Sequence, residues 1–172
     1  MTAAPDFADD IVSAWGRELP QVESRPLELT KRIGRLAGLV DAATHGVLER
    51  LGLTKAEYEV LARLRAAGAP YEGKPNELTR SLSMSSGGTT NVLHRLVDAG
   101  LVARKADEGD RRSTWVYLTP KGIEAAEEVV LATNEAQSAL LGRLPEATAR
   151  ALADLLRDAL RDLEAPAPAY RR

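Results

Sequence analysis

The sequence predicts a mainly helical chain carrying one small β-hairpin, and three observations support this. Aromatic residues make up 4% of the chain against 44% hydrophobic, so the core must be built chiefly from Leu, Val and Ala, as in helical proteins. Apolar residues recur at spacings of three and four over most of the length. Strand-like alternation is clearest where Thr114, Val116 and Leu118 interleave with Trp115 and Tyr117, just past a turn-rich stretch around Gly109. At 172 residues the chain is long enough for a real core but short for two independent domains.

Taken in order, Asp6 to Leu19 spaces Ile11, Val12, Trp15 and Leu19 as a short amphipathic helix within an arm spanning 1–25. Leu29, Ile33, Leu36, Val40, Ala43, Val47 and Leu51 then predict one long helix. Thr54 caps the next, with Glu57 completing a capping box, and Tyr58, Leu61 and Leu64 carry it to Gly68-Ala69-Pro70. Pro75 to Leu82 opens with turn residues and spaces Leu78 and Leu82 by four. After a break at Ser83-Met84, Ser85 or Ser86 caps a helix that Gly100 ends.

Leu101 to Lys105 reads as a strand, 106–112 as a turn and Thr114 to Leu118 as the returning strand. Thr119 caps a further helix with Pro120 at its first position, expected to run to about Leu144. Pro145-Glu146 begins the last helix, striped by Leu152, Leu155, Leu156, Leu160 and Leu163. The segment 165–172 has the composition of a disordered tail.

Helix, tight turn, helix and hairpin together make a winged helix-turn-helix, a shape suited to reading DNA. On the second helix, Thr89, Val92, Leu93, Leu96 and Val97 fall on one side, and Gly87, Asn91, His94, Arg95 and Asp98 on the other. Small residues let a backbone approach a duplex closely, Arg matches guanine and Asn matches adenine. An ordinary solvated helix face is the plainer alternative. The hairpin tip sets Arg111 and Arg112 beside Asp107, Glu108 and Asp110. It reads either as a solvated turn or as a wing whose arginine enters a narrow minor groove while Asp110 steadies a neighbouring guanidinium.

These residues resemble the MarR family of winged helix-turn-helix regulators. The resemblance rests on SSGGTTNVLHRL, AGLV, Asp107-Glu108-Gly109-Asp110-Arg111-Arg112, and Val116-Tyr117-Leu118-Thr119-Pro120-Lys121-Gly122, and covers about Leu27 to Leu163. It implies a dimeric helical scaffold, a pseudo-palindromic operator, repression of a nearby promoter and release by a small ligand. It implies DNA contacts within Ser85, Ser86, Gly87, Thr89, Thr90, Asn91, His94 and Arg95, with Lys105, Arg111 and Arg112 from the hairpin. Arg112 is then the minor-groove arginine and Arg111 a phosphate contact, with Asp110 in support.

The N-terminal helix adds a resemblance to an extended subgroup that includes urate-responsive regulators. Trp15, Arg32, Glu59 and Arg104 are the ligand-site residues expected on this basis. Glu59 stands where Asp is usual, and Val92 where the subgroup has an arginine. A valine cannot pair with anionic urate, so the expected ligand is a less charged aromatic or hydrophobic molecule.

Charge agrees with a polarised molecule. Net charge is −2, yet Arg80 to Lys121 holds seven Lys/Arg against four Asp/Glu, while Gly122 to Glu164 holds four against nine. The implied division is an arm at 1–25, a helical dimerisation region at 26–52 and 119–164, a DNA-binding domain at 53–118 and a tail at 165–172. Outer helices with such stripes cannot all be buried on so small a domain, so a second copy is the expected partner.

With no cysteine, disulfides and thiol redox sensing are excluded. His45 and His94 have no metal-ligand spacing, Ser85-Ser86-Gly87-Gly88 lacks a P-loop lysine, and no catalytic set emerges, so no metal, cofactor or enzymatic activity is expected. No membrane-length apolar run or signal-peptide pattern is present, which leads to an expected cytoplasmic location. The alternative function is a winged-helix protein-interaction module without an operator of its own.

Overall fold

A computed structural model of the chain describes residues 4–82, 85–106 and 114–164. Helix α1 (Phe7–Glu18) is followed by α2 (Ser24–Arg50), α3 (Lys55–Ala66), strand β1 (Glu72–Gly73), α4 (Pro75–Ser81) and α5 (Ser86–Asp98). Strands β2 (Val102–Ala106) and β3 (Thr114–Leu118) come next, then α6 (Pro120–Leu141) and α7 (Glu146–Glu164). The three strands form an antiparallel sheet in the order β1-β3-β2. This is the predicted mainly helical, winged helix-turn-helix fold.

Several boundaries differ for identifiable reasons. Helix α2 starts at Ser24 rather than near Leu29, because Pro26 sits in the first turn, where a missing N–H costs nothing. Strand β2 starts one residue later than expected because Leu101 finishes the preceding helix. Its N–H bonds to the Leu96 carbonyl at 2.9 Å and that of Gly100 to Val97 at 2.9 Å. Gly100 has φ +70°, so this is a Schellman ending, and the same pattern recurs around Gly52 at φ +67°. Strand β1 has no counterpart among the elements expected from the sequence. Its two residues pair with Tyr117 and Val116 of β3, and nothing in their local pattern announces it.

The core draws Val60, Leu61 and Leu64 from α3, Leu78 from α4, Leu93 and Leu96 from α5, and Val116 and Leu118 from β3. Leu101, Val102 and Ala126 complete it. Burying each leucine is worth roughly 1.5–3 kcal/mol before entropy is counted. Helix α6 leaves this core to pack along α2, where Thr44, Val47 and Leu48 of α2 and Val129 and Thr133 of α6 are buried.

The seam between the recognition unit and α6 is very close. Thr119 caps α6 by accepting from Gly122 N–H at 3.0 Å and donates its own hydroxyl to the Gly100 carbonyl at 2.7 Å. Lys121 Nζ donates to the Ala99 carbonyl at 2.9 Å, placing a cation on the negative end of α5. A Cβ at Gly122 would lie 1.8 Å from the Leu101 carbonyl oxygen, so only glycine fits.

Helix α1 packs on α2 with Ala8 buried, and one cation ties the two together. Arg32 reaches Asp6 at 2.9 Å and Asp9 at 2.8 Å. Asp6 also caps α1, accepting from the Ala8 N–H at 2.8 Å. The Arg32 hydrogen bonds hold the Asp6 pKa below its ordinary value of 3.8.

Two outcomes follow. Gly122→Ala should lower the unfolding free energy by about 3 kcal/mol in denaturant titration, because the clash is with backbone and cannot be relieved by a rotamer. Arg32→Ala should raise hydrogen exchange over 7–18 while leaving α5 and α6 protected. A depressed Asp6 pKa stabilises docking above the ordinary carboxylate value and loses that effect as pH falls through the folded value. Protection factors over 7–18, which take account of the slower intrinsic exchange in acid, should therefore fall in the unsubstituted protein on acidification below about pH 4.

Candidate nucleic-acid interface

Helix α5 sorts its residues by face. Leu93 and Leu96 are buried in the core, with Val92 and Val97 packed beside them. Ser85, Ser86, Gly87, Thr90, Asn91, His94 and Arg95 are all exposed and form one continuous ridge. The Ser85 hydroxyl accepts the Gly88 N–H at 3.0 Å, so the first turn is capped from within. What remains is a helix end with small side chains, then amide, imidazole and guanidinium.

Thr89 is a correction. It is 1% exposed and therefore unavailable to a duplex. Its hydroxyl lies 2.9 Å from that of Thr79 on α4 and 3.1 Å from the Ser85 carbonyl. Thr89 thus pins the two helices of the helix-turn-helix together. The 3.6-residue period had already placed it on the apolar side, and its hydroxyl satisfies itself there without DNA.

Arg95 is exposed but engaged. Its Nε lies 3.0 Å from Glu57 Oε1, and the two side chains are 55% and 6% exposed. Glu57 also accepts from the Thr54 N–H and hydroxyl, both at 2.7 Å, and so completes the predicted capping box of α3. Sequence reasoning found the box but not the second partner, 38 residues away.

The sheet edge carries further cations. Lys105 of β2 lies 2.5 Å from the Glu72 carboxylate, and Lys74 Nζ sits 4.8 Å from the Trp115 ring centroid. Strand β1 therefore supplies the base of the wing with a counter-charge that the sequence did not reveal. Asp110, Arg111 and Arg112 lie outside the described residues.

The residues expected around a ligand are dispersed over separate elements. Trp15 is 43% exposed on α1. Arg104 is exposed on β2 opposite Val116, and Glu59 is partly exposed on α3. The Arg32 guanidinium is engaged by Asp6 and Asp9 and ties α1 to α2, with its side chain 38% exposed. Val92 points into the core, which explains why an apolar residue suits it.

A MarR family model matches residues 53–114, which span α3 to the start of β3. The HTH-type transcriptional regulator PecS of Dickeya dadantii is 35% identical over 121 residues, covering 70% of this chain and 73% of PecS. Among solved structures, a cysteine-to-serine variant of Escherichia coli MarR complexed with operator DNA superposes with a TM-score of 0.70 at 26% identity, covering 85% of this chain and 97% of that one. Bordetella bronchiseptica BpsR, solved to explain regulation of its DNA binding by 6-hydroxynicotinic acid, gives 0.61 at 26% identity, with 74% and 98% covered. Fold, exposed α5 ridge and these similarities agree: the chain belongs to the MarR family.

Proposed function

We propose that this protein is a sequence-specific DNA-binding transcriptional regulator, a repressor that acts as a homodimer and is released by a small aromatic or hydrophobic effector. The observation that carries the reading is the α5 ridge. Ser85 to Arg95 presents small and polar groups outward on a helix whose other face is locked into the core. Such a helix enters the major groove with its N-terminal half against base edges. The hairpin β2-β3 lies next to it in the chain, with Arg112 assigned to the minor groove and Arg111 to phosphate. Likeness to MarR bound to operator DNA and to BpsR supports both the duplex and a small aromatic effector.

The division into a DNA-binding domain at 53–118 and a dimerisation region at 26–52 and 119–164 is part of the same reading. It draws support from the exposed apolar face. None of α7 is buried, and Leu155, Leu160 and Leu163 are 68%, 55% and 83% exposed. Leu29 and Ile33 of α2 are more than half exposed. An open apolar groove of about 250 Å³ runs between Leu36 and Val40 of α2 and Leu152 and Leu156 of α7. A surface of this kind is covered in water by a partner, and two-fold pairing sets two α5 helices about 34 Å apart on one side of a duplex.

Gel-shift titration against the protein's own upstream DNA at several salt concentrations tests the core claim. Nanomolar binding with a steep salt slope is expected, and its absence favours a protein-interaction role. Arg112→Ala should weaken operator binding by about 1–3 kcal/mol. Replacing Leu155 and Leu160 together by Asp should shift the sedimenting species from dimer to monomer and abolish the half-site cooperativity with it.

A further inference from the structure

We propose that Glu57 is a positioning residue for DNA recognition: by holding Arg95 it fixes the cant of α5 relative to the scaffold, although it does not itself reach a duplex. The inference rests on the DNA-binding reading above and concerns the same ridge.

Glu57 is 4% exposed, yet it carries a carboxylate at the first turn of α3. One oxygen is occupied by Thr54 at the helix cap. The other faces Arg95 Nε at 3.0 Å, and Arg95 Nη2 reaches back to the first oxygen at 3.4 Å. The guanidinium is therefore held edge-on by both carboxylate oxygens, the geometry in which arginine and not lysine is pre-organised. Because the side chain is still 55% exposed, its outer edge stays open to a phosphate.

The chain of connection matters. Helix α2 ends in the Gly52 turn, three residues before α3 begins. The cap of α3 is thus fixed to the scaffold at one end and, through Glu57, to the C-terminal half of α5 at the other. Freed of Glu57, Arg95 would seek the nearest phosphate whatever the sequence. Binding would become less selective and more dependent on salt.

The test uses the full chain and a duplex enriched from a random pool by the unsubstituted protein, compared with a scrambled duplex of the same composition. Affinities are read by fluorescence anisotropy over a salt series. Glu57→Gln keeps the cap acceptor and removes the charge. It should reduce the ratio of selected to scrambled affinity about tenfold and steepen the salt slope by about one phosphate contact. Arg95→Gln should lose a similar share of discrimination without the steeper slope, and the double variant should lose no more than either single one. Unchanged discrimination and slope in Glu57→Gln, with a loss confined to Arg95→Gln, would mean that Arg95 reads DNA alone and would overturn the proposal. Should Glu57→Gln fail to fold by circular dichroism, Arg95→Lys decides. It keeps the charge but not the fork, and discrimination equal to that of the unsubstituted protein refutes the positioning role. A pool that yields no enriched duplex would instead sink the DNA-binding reading, and this inference with it.

Discussion

The contact on which the rest of the structure depends is the close approach of the Leu101 carbonyl to Gly122. There is no room there for a β-carbon. Around it, the Thr119 hydroxyl and the Lys121 ammonium take the Gly100 and Ala99 carbonyls. These oxygens belong to the end of α5, where carbonyls have no partner within the helix. The first turn of α6 thus finishes α5, and the recognition helix is set directly on the helix that runs along α2. No flexible linker separates reader from scaffold at this point, so a displacement of one is transmitted to the other.

The second constraint is that polar groups brought into the packed region must find partners. Among the described residues, no buried side-chain nitrogen or oxygen lacks one. Thr89 satisfies its hydroxyl between α4 and α5, Thr133 bonds back to its own helix, and Glu57 is shared between a helix cap and Arg95. These bonds each add little net stability, but breaking one leaves a desolvated group behind. They therefore act on geometry more than on total stability, fixing how neighbouring helices cross.

Hydrophobic surface is distributed very unevenly. The winged unit closes a core of buried Leu and Val, whereas no residue of α7 is fully buried. Leucines 68% and 83% exposed line the apolar stripe of this helix. The acidic balance of Gly122 to Glu164 suits this end to a partner other than DNA, and the basic middle lies at the opposite end of the charge distribution.

The sequence by itself determined the elements whose signals are local. Helical periodicity placed α1 to α7, the Thr54-Glu57 and Thr119-Pro120 starts were readable as caps, and alternation placed β3. Local chemistry also separates the two faces of α5, and so makes its exposed polar ridge legible in the sequence alone. Only the tertiary structure decided the contacts between residues far apart in the chain. Strand β1 exists because β3 offers it an edge, Arg32 fastens α1 because Asp6 and Asp9 come within reach, and Arg95 is engaged because the α3 cap lies beneath it. A periodic pattern reports which side of a helix is apolar, since burial acts on every turn alike. It carries no record of which distant side chain meets a given charge, because that distance is set by how the helices pack.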